Sequence, residues 1–120
     1  MSPQTDFPLI FDRLKAILNP YAGQLTLTAD TAQSYSIDGP FSRKYKKVLF
    51  FGAAQIKKNY VSFYLMPVYM YPDLLKYISP ELKRHMQGKS CFNFKKVDET
   101  LFTELAELTH KSFEHFQKEY

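Results

Sequence analysis

The chain has a single cysteine, Cys91, which rules out an internal disulfide and the multi-cysteine zinc motifs. Nothing in its cysteine usage argues for an oxidising compartment. Its four glycines are scattered singly, so none of them builds the glycine-rich loop that cradles phosphates. No window reaches the roughly 18 uncharged apolar residues of a membrane span, and the opening MSPQTDFPLIF has no positively charged leader ahead of an apolar run. The expectation is a cytoplasmic protein with no membrane partner. The three histidines, His85, His110 and His115, fall at no familiar ligand spacing, so no metal or other cofactor is expected. Paired carboxylates beside an aromatic cleft are missing too, because the acids sit on flanking helical segments. Enzymatic activity is therefore disfavoured.

What is present is aromatic and unevenly charged. At 120 residues, 45% hydrophobic and 17% aromatic, the chain fits one α+β domain over residues 1–120 with a core of its own. Residues 43–96 carry twelve basic and two acidic side chains, whereas residues 97–120 carry two basic and six acidic. The simpler reading of this asymmetry is internal, an acidic C-terminal helix lying near basic strands. The other is an anionic partner.

The stretch from Val48 to Tyr71 reads as a β-hairpin turning at Lys57-Lys58-Asn59. Its β-branched and aromatic content favours strand over helix. In the second run Tyr60, Ser62, Tyr64 and Met66 share one face, with Val61, Phe63 and Leu65 on the other, because strand side chains alternate. The first run carries no charge from Val48 to Ile56 and is expected to be a central strand. Gly52 inside it points to a bulge or to a neighbour packed closely over the backbone.

Around the hairpin, apolar residues recur at helical spacing from Asp6 to Tyr21, with Thr5 or Asp6 as N-cap and Pro20 as the stop. Strands are expected over 24–29, with Leu25 and Leu27 inward, and over 34–38, where Gly39-Pro40 breaks the pattern. Phe41 to Lys47 reads as a charged loop. Past Pro67 and Pro72 a helical turn spans Asp73 to Ile78. Ser79-Pro80-Glu81 then opens a helix running to about Gln87, where Gly88 ends it and Leu82 and Met86 share the buried side. Cys91 and Asn93 alternate with Phe92 and Phe94 in a last strand. Asp98 caps a C-terminal helix whose stripe is Leu101, Leu105, Leu108 and Ser112, widened by Phe102, Phe113 and Phe116. The expected architecture is an antiparallel sheet of about five strands, with N-terminal and C-terminal helices packed mainly on one face.

Three functional readings follow. The first is a non-enzymatic binding module holding a small apolar or anionic ligand, or a protein segment, at an aromatic sheet face. Tyr60, Tyr64, Met66 and Tyr69 would line it, and Lys46, Lys47 and Lys57 would supply charge at its rim. The second is a protein associated with single-stranded nucleic acid, using Arg43, Lys44, Lys46, Lys47, Lys57 and Lys58 beside Tyr45, Tyr60 and Tyr64. The third is a thiol-dependent enzyme in which His85 or nearby cations such as Lys95 and Lys96 activate Cys91.

The stretch FFGAAQIKKNYVSFYLMPVY, followed by ISPELKRHMQGKSCFNF, resembles the YdhG-like family of small bacterial domains of unknown function. The similarity extends to LKAILNPYAG and covers most of the chain. It implies a compact α+β fold with an antiparallel sheet and no assigned activity. Some relatives are similar to frataxin-type iron chaperones, which use an exposed acidic ridge. This chain departs from such a ridge at Lys111 and Lys118 and in its basic sheet flank.

Overall fold

The computed structural model describes residues 7–118. Its elements, in chain order, are helix α1 (Phe7–Leu18), strands β1 (Thr26–Asp30), β2 (Ser34–Ser42), β3 (Lys47–Ile56) and β4 (Val61–Leu65), short helices α2 (Met66–Met70) and α3 (Pro80–Lys83), strand β5 (Cys91–Phe94) and helix α4 (Glu99–Gln117). Short 3-10 turns follow α1 and α2 at Asn19–Tyr21 and Pro72–Tyr77. The five strands form one antiparallel meander, ordered β1-β2-β3-β4-β5. The expected α+β class, five-stranded sheet and terminal helices are all present. The N-cap assigned to Thr5 or Asp6 lies outside the described residues.

The register explains why one face is covered. Opposed residues in an antiparallel sheet share a face, so Tyr35, Ala54, Phe63 and Phe92 form one row, and Ile37, Gly52 and Leu65 another. These rows are fully buried under α1 and α4. The intervening rows, Ser36-Ala53-Tyr64-Cys91 and Ser34-Gln55-Ser62-Asn93, point to the opposite face. Both long helices present the stripes that their periodicity requires: Ile10, Phe11, Leu14 and Leu18 from α1, and Leu101, Leu105, Leu108, Phe113 and Phe116 from α4. Asp98 caps α4 by accepting a hydrogen bond from the Leu101 N–H at 3.1 Å.

Gly52 meets both expectations held for it. The β2–β3 ladder passes from Ile37↔Gly52 to Asp38↔Phe50, leaving Phe51 as the extra residue of a bulge. The bulge turns Phe51 toward the helices as well, where its ring lies 5.8 Å from Tyr21, 5.8 Å from Phe113 and 5.3 Å from Phe116. Burying such a ring stabilises the fold by about 2 kcal/mol. A Cβ at Gly52 would sit 2.9 Å from Leu18 Cδ2 and 3.0 Å from the Tyr64 carbonyl oxygen. Only a hydrogen lets α1 approach the sheet so closely.

Several boundaries differ from the sequence reading, each for a physical reason. The hairpin's second strand stops at Leu65, not Tyr71, because β4 is paired on both sides and Pro67 cannot donate to either ladder. Gly39-Pro40 does not break β2. The last β1 partner is opposite Asp38, and an irregularity between Asp38 and Phe41 accommodates the proline. Phe41, Ser42 and Lys47 therefore belong to strands, and the loop shrinks to 43–46, closed by Lys46 at φ 58°. Helix α3 ends at Lys83, because the chain beyond it pairs with β5 through Asn93 N–H to the His85 carbonyl and Gln87 N–H to the Cys91 carbonyl. Met86, expected on the helix, instead bridges to Phe92 and is half-buried. Leu27 lies on an edge strand past the helical cover and is 44% exposed.

Two substitutions test this packing. Gly52→Ala is expected to lower stability by about 1–3 kcal/mol in urea unfolding, because Leu18 and the Tyr64 backbone must move apart. Ser112 carries a buried hydroxyl with no hydrogen-bond partner. Ser112→Ala is thus expected to raise stability, by about 1 kcal/mol, through lost desolvation and better helix propensity.

Candidate functional site

The face opposite the helices carries a polar network at its centre. The Ser62 hydroxyl, itself buried, donates to Asn93 Oδ1 at 2.6 Å, and Asn93 Nδ2 donates to Gln87 Oε1 at 2.8 Å. The Cys91 thiol approaches the same Asn93 oxygen at 3.4 Å. Tyr64, in the row beside them, is half-buried with Lys57 Nζ 5.9 Å from its ring centroid. These positions follow from the β4–β5 register, in which Ser62 faces Asn93 and Tyr64 faces Cys91.

At the hairpin-loop end of this face the chain forms a cleft of about 600 Å³, lined by Asn59, Tyr60, Arg84, His85, Gln87, Asn93, Lys95 and Lys96. Three separate elements build it. The β3–β4 loop contributes Asn59 and Tyr60. The residues just past β5 contribute Lys95 and Lys96, brought beside Tyr60 because Phe94 pairs with Val61. The turn after α3 contributes Arg84, His85 and Gln87. His85 is held firmly: its ring stacks on Phe94 at 4.7 Å, and its Nδ1 donates to the Asn93 carbonyl at 2.8 Å, since a carbonyl can only accept. Arg84, Lys95 and Lys96 are exposed and pair with no carboxylate among the described residues.

Three acids of α4 have partners in the helical layer. Glu99 pairs with Arg13 of α1, Glu104 accepts from the Ser79 N–H and hydroxyl at 2.8 Å each, and Glu114 lies 3.7 Å from His110. The complementarity expected between the C-terminal helix and the basic strands is thus made between helices. Charge is segregated, with acids on the helical side and free cations at the sheet end. The His115 ring packs tilted against Tyr71, centroids 5.3 Å apart. Among the described residues no three potential metal ligands converge, and no helix is long and apolar enough to cross a membrane.

No family model, curated protein or solved structure matches this chain.

The seven residues expected to share one site fall in four places. Tyr60 lines the basic cleft. Tyr64 and Lys57 form the cation–π pair on the uncovered sheet face. Tyr69 stands on α2, 54% exposed, under Lys89 Nζ at 5.7 Å, and Met66 opens the same helix half-buried. Lys46 and Lys47 lie at the start of β3 and Lys57 beyond its end, separated by a ten-residue strand, which spans about 33 Å. They cannot serve as one rim. The sequence reading missed Arg84, Lys95 and Lys96 as a cluster. Each is visible in the basic block, but only the β4–β5 pairing brings 95–96 beside 60 and 84.

Cys91 is half-buried, and burial pushes its thiol above the ordinary cysteine range, against smaller opposing effects from Ser62, Tyr64 and the Lys57 cation. A raised value means less thiolate at neutral pH, the reverse of an activated nucleophile. His85 is engaged with Asn93 and Phe94, not with the thiol. Alkylation of Cys91, followed by mass spectrometry across pH, should turn on above the pH at which a free cysteine, with a pKa of about 8.5, does so. Lys57→Gln should move the midpoint higher still; a midpoint below that of free cysteine would restore the thiol-enzyme reading.

Proposed function

We propose that this chain is a cytoplasmic, non-enzymatic binding module that holds a multiply charged anion in the basic cleft beside Tyr60. We read it as a YdhG-like domain on the motifs quoted above. One observation carries the proposal: Arg84, Lys95 and Lys96 converge on a cleft of about 600 Å³ without a carboxylate partner among the described residues. Cations held within a screening length of about 8 Å repel one another, and an anion between them relieves that repulsion. Tyr60 and His85 add ring faces and hydrogen-bonding groups to the walls, while Asn59 and Gln87 add side-chain amides. The volume suits a small molecule. No nucleophile–base pair lines this cleft.

A second reading, single-stranded nucleic acid, draws on the Lys57–Tyr64 pair, which places another ring and cation on the same open face. The two readings separate in solution. Citrate or pyrophosphate at a hundredfold excess over Kd should stabilise the protein by about 2.7 kcal/mol, read as a rise in Tm. The triple variant Arg84→Gln, Lys95→Gln, Lys96→Gln should lose that shift and keep its own unliganded Tm within a few degrees. Silence from both anions, together with tight decathymidylate binding that weakens steeply with salt, would replace the first reading by the second. Equal anion responses from the triple variant and the parent protein would end the first.

A further inference from the structure

We propose that a second recess, walled by α2, the 3-10 turn and the Gly88 turn, binds a small amphipathic carboxylate: an aryl or medium-chain alkyl acid with its tail against Leu75 and Met86 and its carboxylate on Lys89. The recess measures about 540 Å³, within the range of small-ligand sites. It is separate from the basic cleft, because the two share no lining residue. His85 and Gln87 line the cleft, whereas Met86, Gly88 and Lys89 line the recess.

Its walls are apolar and continuous with the core. Val68 is 1% exposed, and Leu75 and Met86 are half-buried residues packed against the core cluster. Gly88 adopts φ +82°, a conformation that favours glycine, and a Cβ built there would meet nothing within 4 Å. The turn therefore shapes one side of the recess without filling it. Apolar surface left in water at such a depth favours an apolar occupant.

The rim selects the occupant's charge. Lys89 Nζ stands 5.7 Å from the Tyr69 ring centroid, over a side chain that is 54% exposed. No described carboxylate pairs with Lys89, and the nearest acid in sequence along the wall, Asp73, is engaged with Lys76 at 3.6 Å. One ammonium and one phenol hydroxyl at the mouth of an apolar recess match a single carboxylate, which accepts from both. A multiply charged anion finds more cations in the neighbouring cleft. A second copy of this chain is a poor occupant, because it brings the same excess of positive charge, +4 over the sequence.

The test titrates the full chain with octanoate and phenylacetate, observed by amide NMR and thermal shift. Octanoate should move the amides of Leu75, Gly88 and Lys89 and raise Tm, and its methyl protons should show a nuclear Overhauser contact to the Met86 methyl. Lys89→Gln, a surface change, should weaken octanoate about three- to fivefold, the worth of an exposed ion pair, and Met86→Trp should fill the recess and abolish binding. The triple variant of the basic cleft should bind octanoate as the parent does, so failure of one site is distinguishable from failure of the other. Absence of shifts at millimolar octanoate, shifts confined to other residues, or octanol binding as tightly as octanoate would overturn the proposal. If Met86→Trp does not fold, the contact to the Met86 methyl decides the location by itself.

Discussion

The close approach of α1 to the sheet at Gly52 is the constraint from which the rest follows. With Leu18 Cδ2 only 2.9 Å from where a Cβ would stand, the helix rests on backbone and not on a side chain. The bulge one residue earlier turns Phe51 to the same side, where it joins Tyr21 to Phe113 and Phe116. A bare backbone and a redirected ring, adjacent in sequence, thus fix both long helices over one face. A second aromatic contact, Phe94 edge-on to Phe102 at 5.1 Å, anchors the other end of α4.

Committing both helices to one side leaves the other side of the sheet without them, and this determines where charge collects. Three acids of the C-terminal segment find partners within the helical layer: Glu99 with Arg13, Glu104 with Ser79, and Asp98 with the first turn of α4. The cations that follow the strands are left at the ends of the sheet. The Ser62-Asn93-Gln87 network then ties β4 and β5 to the turn after α3. That tie positions Arg84 and His85 beside Tyr60, and the same turn segment brings Met86 and Lys89 to the second recess. A single stretch of chain thus forms a wall of both cavities, one cationic and one apolar.

Much of the fold could be read directly from residue order, because it depends on contacts local in sequence or on simple periodicity. The stripes of α1 and α4, the Asp98 and Ser79 caps, the alternation of Cys91 and Asn93 against Phe92 and Phe94, and the dual significance of Gly52 all belong to this class. Local pattern misjudged the elements whose ends depend on neighbours. Pro40 is tolerated because β1 stops opposite Asp38, and β4 stops at Leu65 because it is paired on both sides. A proline carries the same local signal in both places, and the number of neighbouring strands decides what it does.

The candidate site was less legible for the same reason. The sequence by itself determined that rings are abundant between Val48 and Tyr71, that cations crowd residues 43–96, that most of the acids lie in the terminal helical segments, and that the lone thiol has no cysteine partner. Only the tertiary structure decided that Lys46 and Lys57 stand a strand's length apart, that Tyr69 leaves the sheet, and that Arg84, Lys95 and Lys96 meet at Tyr60. Alternation along a strand fixes which side a residue faces. It carries no information about which distant residue the pairing register sets beside it, and a binding site is made of such distant neighbours.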